Sequence, residues 1–413
     1  MSDNYLKNAP YSEEDDTEIF RYHGQDLDDV DGSDYTALIV EDGCTAIPED
    51  AFADWDCIES VTIPDSVRII GARAFSECTA LQDVNLGNGV ETICEYAFEG
   101  GESLSRIILP DSVAVLEENA FANCSYLEEI ALGCGIREIS DEQFADFESL
   151  SIFSVGDGVE TIGERAFSGC AALETVVIGE NVKTIGDSAF EGCASLCEIV
   201  IPDSVEKLGE NVFDGCDSLE TLTIGNGLRE IDDFAFTGLE LLTTVTIGDG
   251  VEKIGEHAFD GCFGLEDVIF GKNVGTIGDQ AFLDCHALSE ITLPDSLVKL
   301  GENVFEGCEE LDRIAVGNGL TEIEEYAFAG LDALVSVRIG DGVEKIGERA
   351  FDGCSALESV VFGKNVRVIA DYAFADCTAL VEIFLPENLE TLAKTAFDGC
   401  DSLEEIHFAK QNE

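Results

Sequence analysis

The chain has 413 residues, with 87 Asp and Glu against 21 Lys and Arg, for a formal net charge of −66. Hydrophobic residues make up 45% of it; a disordered acidic polymer is excluded, because such chains lack the apolar area that offsets ordering entropy. The charge argues against direct nucleic-acid binding, since each phosphate contact wants a cation, and no run approaches the ~18 apolar residues of a membrane span.

Residues 1–34 carry no repeat and are strongly acidic, as in Ser12-Glu-Glu-Asp-Asp and Asp26-Leu-Asp-Asp. They read as a tail and a cap for a repeat array. Met1 to Lys7 lacks the charged-then-apolar order of a signal segment. As written, the chain is expected in the cytosol, or at the cell surface or outside it if a leader was removed. Tyr35 to Val40 fits the strand half of a repeat, so the sheet is expected to begin at Leu38 and Val40.

From Phe52 onward a Phe recurs every 23 residues, sixteen times to Phe397, without insertion or deletion. Six residues after each Phe stands Leu, or Ile58 in the first repeat. Nine and eleven residues after it stand apolar, mostly branched residues, as in Ile199-Val200-Ile201. That alternation predicts a strand with Ile199 and Ile201 inward and Val200 outward. A turn comes next, Pro-Asp-Ser, Gly-Asp-Gly or Gly-Lys-Asn, and commonly a Val-x-x-Ile-Gly segment leads to the next Phe. One repeat cannot enclose a core, so each must stack on its neighbours. The strands then form a parallel sheet on one face, advancing roughly 4.8 Å per turn. The Gly-Asn-Gly and Gly-Asp-Gly turns are expected to use Gly for positive φ.

Leu196 to Cys216 reads Leu-x-x-Ile-x-Ile-Pro-x-x-Val-x-x-Leu-Gly-x-x-Val-Phe-x-x-Cys. With Ile for Leu208 and Ala for Val212, this resembles the BspA-like (treponemal-type) leucine-rich repeat, over about residues 35–408. The resemblance implies a leucine-rich-repeat solenoid of about sixteen repeats plus an N-terminal half repeat. It would carry a parallel sheet on one face and turns or short 3-10 segments on the other. It also implies a strand face that engages partners, often in adhesion or host contact, and many such proteins are exported.

A longer period lies above the first. Pro-Asp-Ser at 110, 202 and 294 continues as Pro-Glu-Asn at 386, and Gly-Asp-Gly-Val-Glu stands at 156, 248 and 340, all 92 residues apart. Copying of a four-repeat block accounts for this; Pro64 alone falls outside the register.

Eleven of the 16 Cys stand three residues after the repeat Phe, where other repeats carry Trp55, Gly101, Phe147, Leu239 and Leu331. That exchange marks an apolar niche for a free thiol, and parallel side chains one turn apart do not suit a disulfide. Cys193 with Cys197, and Cys285 beside His286, come nearest to a ligand cluster. No catalytic, cofactor or metal residue is assigned.

Carboxylates fill the turns and the outward strand positions, and stacking should set like charges against each other. Their charge per unit length is comparable with duplex DNA, which leaves an acidic decoy for a nucleic-acid-binding protein as an alternative. The outward strand positions include Ile108, Val177, Val200, Ile269, Val361 and Phe384, flanked by acids such as Glu198 and Glu382. An apolar stripe with an acidic rim predicts a protein partner with a basic surface. The strand ending at Phe408, with only 409–413 beyond it, leaves an edge for end-to-end self-association. The resulting reading is a non-catalytic protein-interaction module, with a decoy or a structural, adhesive or self-assembling role as alternatives.

Overall fold

The computed structural model describes residues 18–408. The expected tail at 1–17 and the short end at 409–413 therefore lie outside the described residues. By packing, the chain divides into two units, Met1–Arg137 and Glu138–Glu413. Both are built from the same turn.

In the first unit the strands Ile19–Tyr22, Ala37–Val40, Ser60–Thr62 and Asp83–Asn85 form one parallel sheet. Two-residue strands at Ala46–Ile47, Ile69–Ile70, Thr92–Ile93 and Val115–Leu116 form a second ladder. The sheet thus begins earlier than Leu38. Ile19 pairs with Ala37 at a separation of 18 residues instead of 23, so the strand falls outside the repeat's spacing. Phe20 and Tyr22 are buried; the Phe20 ring lies 5.0 Å from Tyr35 and 5.1 Å from Trp55, and Tyr22 lies 5.2 Å from Phe52. This aromatic cluster closes the end of the core.

The second unit repeats both ladders. Its longer strands, such as Thr175–Val177, Glu198–Ile201, Thr221–Ile224 and Thr244–Ile247, pair in parallel with a 23-residue register. Burial alternates along them: Ile199 and Ile201 are inward and Val200 is outward, as the sequence predicts. A 3-10 turn at Gly32–Asp34 is the single helical element among the described residues.

The repeat Phe rings stack in file. In the second unit Phe144 to Phe397 form eleven consecutive stacked pairs with centroids 5.1–6.2 Å apart. That spacing suits offset aromatic packing. Each Cys three residues later lies beside this file, and its thiol donates to the carbonyl of the Phe one turn back. Cys193 reaches Phe167 O at 3.3 Å and Cys216 reaches Phe190 O at 3.2 Å. The niche is therefore apolar in volume but contains an acceptor, which Cys satisfies and Leu cannot. The Cys side chains are free thiols. Burial pushes Cys170 and Cys216 up to about 12.

Positive φ falls elsewhere than expected. The Gly-Asp-Gly glycines do not adopt it; the residue two before the repeat Phe does in every repeat but the last, as in Arg165 (φ 51), Ser188 (φ 53) and Phe234 (φ 60), and so does the residue two after it, often glycine, as in Gly169 (φ 77). There the backbone forms tight turns in which Arg165 N–H and Phe167 N–H both donate to carbonyls of the next turn, at Asp187 and Ala189. These bonds offset the roughly 1–2 kcal/mol of a left-handed residue. The turn glycines serve close approach instead. A Cβ on Gly250 would stand 1.9 Å from the Asn226 carbonyl oxygen of the turn before.

Candidate functional site

Carboxylates are more organised than the charge count alone suggests. Asp157 accepts the backbone N–H of Glu180, Asp203 that of Asn226 and Asp249 that of Lys272, at 2.8–3.2 Å. Asp295 and Asp341 act likewise on Asn318 and Lys364. A second column uses Asp141, Asp187, Asp233 and Asp279. Within each column the Asp residues stand 46 residues apart; in the first, Asn226 and Asn318 clamp from the turns between. Asp is short enough to reach the neighbouring N–H. In the second column Glu fills the alternate turns, at Glu164, Glu210, Glu256 and Glu302.

Cations act as rungs between turns. Lys183 pairs with Glu160 at 2.7 Å and Lys364 with Asp341 at 2.6 Å; Lys253 pairs with Glu230 and Lys345 with Glu322. Stacked like charge is thus interrupted, which corrects the expectation of simple repulsion along these columns. The side-chain hydrogen bond from Lys272, with its backbone N–H, holds the Asp249 carboxyl below its ordinary range, and Lys364 does the same for Asp341.

On the strand face, Ile108, Val177, Val200, Ile269, Val361 and Phe384 are 49–59% exposed. Glu198 and Glu382 are exposed beside them. The seven of these residues that belong to the second unit do not make one patch. Ile108 belongs to the first unit, on the strand Arg106–Ile108. Val177 and Val200 are neighbours, since Thr175 pairs with Glu198, and they line a depression of about 540 Å³ with Glu174, Glu180 and Glu198. Val361 and Phe384 line another of about 550 Å³, with Asp341, Lys364, Pro386 and Glu387. Ile269 sits between Thr246 and the next strand's Thr292, without an apolar partner at those positions.

Several residues of these depressions escape a sequence reading. Cys197 and Pro202 border the first, and Glu180 joins its rim from the turn beyond the strand. The signal that could reveal them is their fixed offset from Val177 and Val200 in a parallel register. At the last strand, Glu382, Glu405 and His407 bring one donor atom each within 4.8 Å of one another. His407 Nε2 lies 3.2 Å from both carboxylates, and its ring stacks on Phe384 at 4.4 Å. These three could hold a metal ion.

Two further histidines stack on rings of the neighbouring turn. His286 stacks on Phe263 at 4.9 Å while Cys285 beside it is buried. His257 stacks on Phe234, with Nδ1 2.8 Å from Asp260. No helix among the described residues is long and apolar enough to cross a membrane.

A BspA type leucine rich repeat region, in six copies, matches residues 45–174, 137–266, 229–357 and 299–413. The chain belongs to the BspA-type leucine-rich-repeat family. Similar solved structures include a leucine-rich repeat protein from Bacteroides ovatus, 26% identical over 92% of this chain and 85% of that one, with a TM-score of 0.48. A leucine rich cell surface protein from Faecalibacterium prausnitzii is 26% identical over 86% and 95% of the two chains, with a TM-score of 0.33. The T. pallidum leucine rich repeat protein is 26% identical over 44% and 77%, with a TM-score of 0.35. Comparison with curated proteins returns no match. The BspA-type assignment agrees with the stacked Phe file, the 23-residue parallel register and the near absence of helix among the described residues.

Proposed function

We propose that this BspA-type repeat protein is a non-catalytic interaction module that binds a protein with a basic surface on its strand face. The observation that carries this reading is the exposed Val177–Val200 pair, set in a depression rimmed by Glu174, Glu180 and Glu198. Apolar side chains there contribute burial on contact, while the carboxylates select for Lys and Arg and speed encounter. Nothing in the fold requires valine at these positions, because the same outward column carries Thr223, Thr246 and Arg338 in other turns. The carboxylates of the clamping columns are already engaged with backbone N–H groups, which favours a localised surface over a uniform acidic rod.

The test is an affinity pull-down at two salt concentrations, repeated with the variant V177E/V200E/V361E/F384E. Partners retained at low salt, weakened by added salt and lost with the variant support the reading. Full retention by the variant removes the strand face as the site. Competition by duplex DNA for the captured partner would redirect the function to that of a decoy.

A further inference from the structure

We infer that the second unit carries two copies of one docking site, eight turns apart, and so engages a partner that presents two basic, apolar-centred segments. This rests on the strand-face reading above and adds its valency. Val177 and Val361 are 184 residues apart, as are Val200 and Phe384, and Pro202 and Pro386. That is twice the 92-residue block, so the block duplication has placed the same surface at both addresses. The two depressions are alike in volume, at about 540 and 550 Å³. Carboxylates border both, Glu174, Glu180 and Glu198 in the first and Asp341 and Glu387 in the second.

Midway between them, the third copy keeps Ile269 but has Thr292 where the others have Val200 and Phe384. The outward column therefore tolerates loss of the apolar pair. Its presence at both flanking copies, once as Val with Val and once as Val with Phe, is not imposed by the core, because all four side chains point away from it. The rims differ in their charged residues, and one difference changes sign. Glu180 in the first copy corresponds to Lys364 in the second, where it pairs with Asp341. The first copy should therefore favour the more basic segment and lose more affinity with salt.

Eight turns at the interstrand spacing of about 4.8 Å separate the copies by roughly 40 Å along the stack. A partner with two suitable segments binds the second intramolecularly, and such linkage raises affinity by about 10²–10⁴-fold over either segment alone. The charge complement is a pair of Lys- or Arg-flanked aliphatic side chains, set against carboxylate-bearing rims on a chain of net charge −66.

The probe is a short synthetic peptide of alternating lysine and leucine, used singly and as a tandem joined by a flexible Gly/Ser linker of about 50 residues, which spans that separation. Calorimetry and native mass spectrometry on the full chain should give two equivalents of single peptide and one of tandem. The tandem should bind at least about tenfold more tightly. V177E/V200E should reduce the single peptide to one equivalent and abolish the tandem advantage; V361E/F384E should do the same. Circular dichroism checks that both variants keep their fold.

One equivalent of single peptide, removed by V177E/V200E and untouched by V361E/F384E, overturns the second copy while leaving the module reading intact. Binding that all four substitutions leave unchanged, or no binding, overturns both. A lysine–serine peptide of equal charge should bind far more weakly. Equal binding of that control, at many equivalents, overturns the docking sites in favour of bulk charge.

Discussion

The Phe file and the outward strand column run through the same turns, ten residues apart, yet they behave differently. In the file, Phe recurs in all sixteen repeats, and in the second unit each ring packs within 6.2 Å of the next. In the outward column Val, Thr, Ile, Ala, Arg and Phe alternate, and neither 23 nor 92 residues restores the same group throughout. Between these lies a third rhythm, the Asp clamps at 46 residues. Features needed by each turn recur every turn; the Asp clamps recur every second turn, with Asn226 and Asn318 clamping from turns between. The outward side chains, pointing away from the core, are free of both constraints and vary from turn to turn.

The largest effect should come from the file itself. Phe190→Ala removes a fully buried ring and should cost about 3–5 kcal/mol in urea unfolding, against about 0.5 kcal/mol or less for Val200→Ala. Similar costs for the two would erase the distinction between the columns. Gly250→Ala comes next, at about 1–3 kcal/mol, because the new methyl must displace the Asn226 carbonyl of the turn before.

The thiols sharpen the comparison on its buried side. Cys170 and Cys216 are raised from an ordinary 9.0 to about 12 by burial. Because the folded value is the higher one, their stabilising contribution is complete below pH 9 and is lost as the pH rises through 12. Thermal unfolding between pH 8 and 11 should show that decline. Alkylation of native protein should label the exposed Cys134 and Cys197 well before the buried set.

Smaller still is the effect at the clamps. Asp249→Ala should lower the melting temperature modestly, while Asp249→Asn should be nearly silent, since Asn226 and Asn318 clamp in the same way. The Asp249 carboxyl is held low by Lys272, so its contribution is present above the ordinary carboxylate value and lost as pH falls through the folded one. Acid titration of the wild type against Asp249→Asn reads that difference. Least of all, V177E/V200E should leave the melting temperature unchanged, because both side chains lie outside the core.

Much of this architecture is legible in the residues alone. A 23-residue interval without slips forces stacked turns, because a single turn has no interior, and the period-2 alternation assigns Ile199, Ile201 and Val200 to their faces. The first strand is hidden from such a reading because Ile19–Tyr22 meets Ala37–Val40 at a different spacing. The outward stripe is legible as a set of residues, but its division into two depressions and a lone Ile269 depends on which turns meet.

The amino-acid order by itself determined the turn length, the buried columns and the family, since hydrophobic spacing is a local property that each repeat states again. Tertiary structure alone decided which carboxylates are clamps and which are rim, why Cys suits the niche beside Phe, and where glycine is needed. Those depend on contacts between residues one turn apart. Asp and Glu look alike in a count of charge, and only the distance to a neighbouring N–H, within reach of the shorter side chain, separates a structural group from one left free to meet a partner.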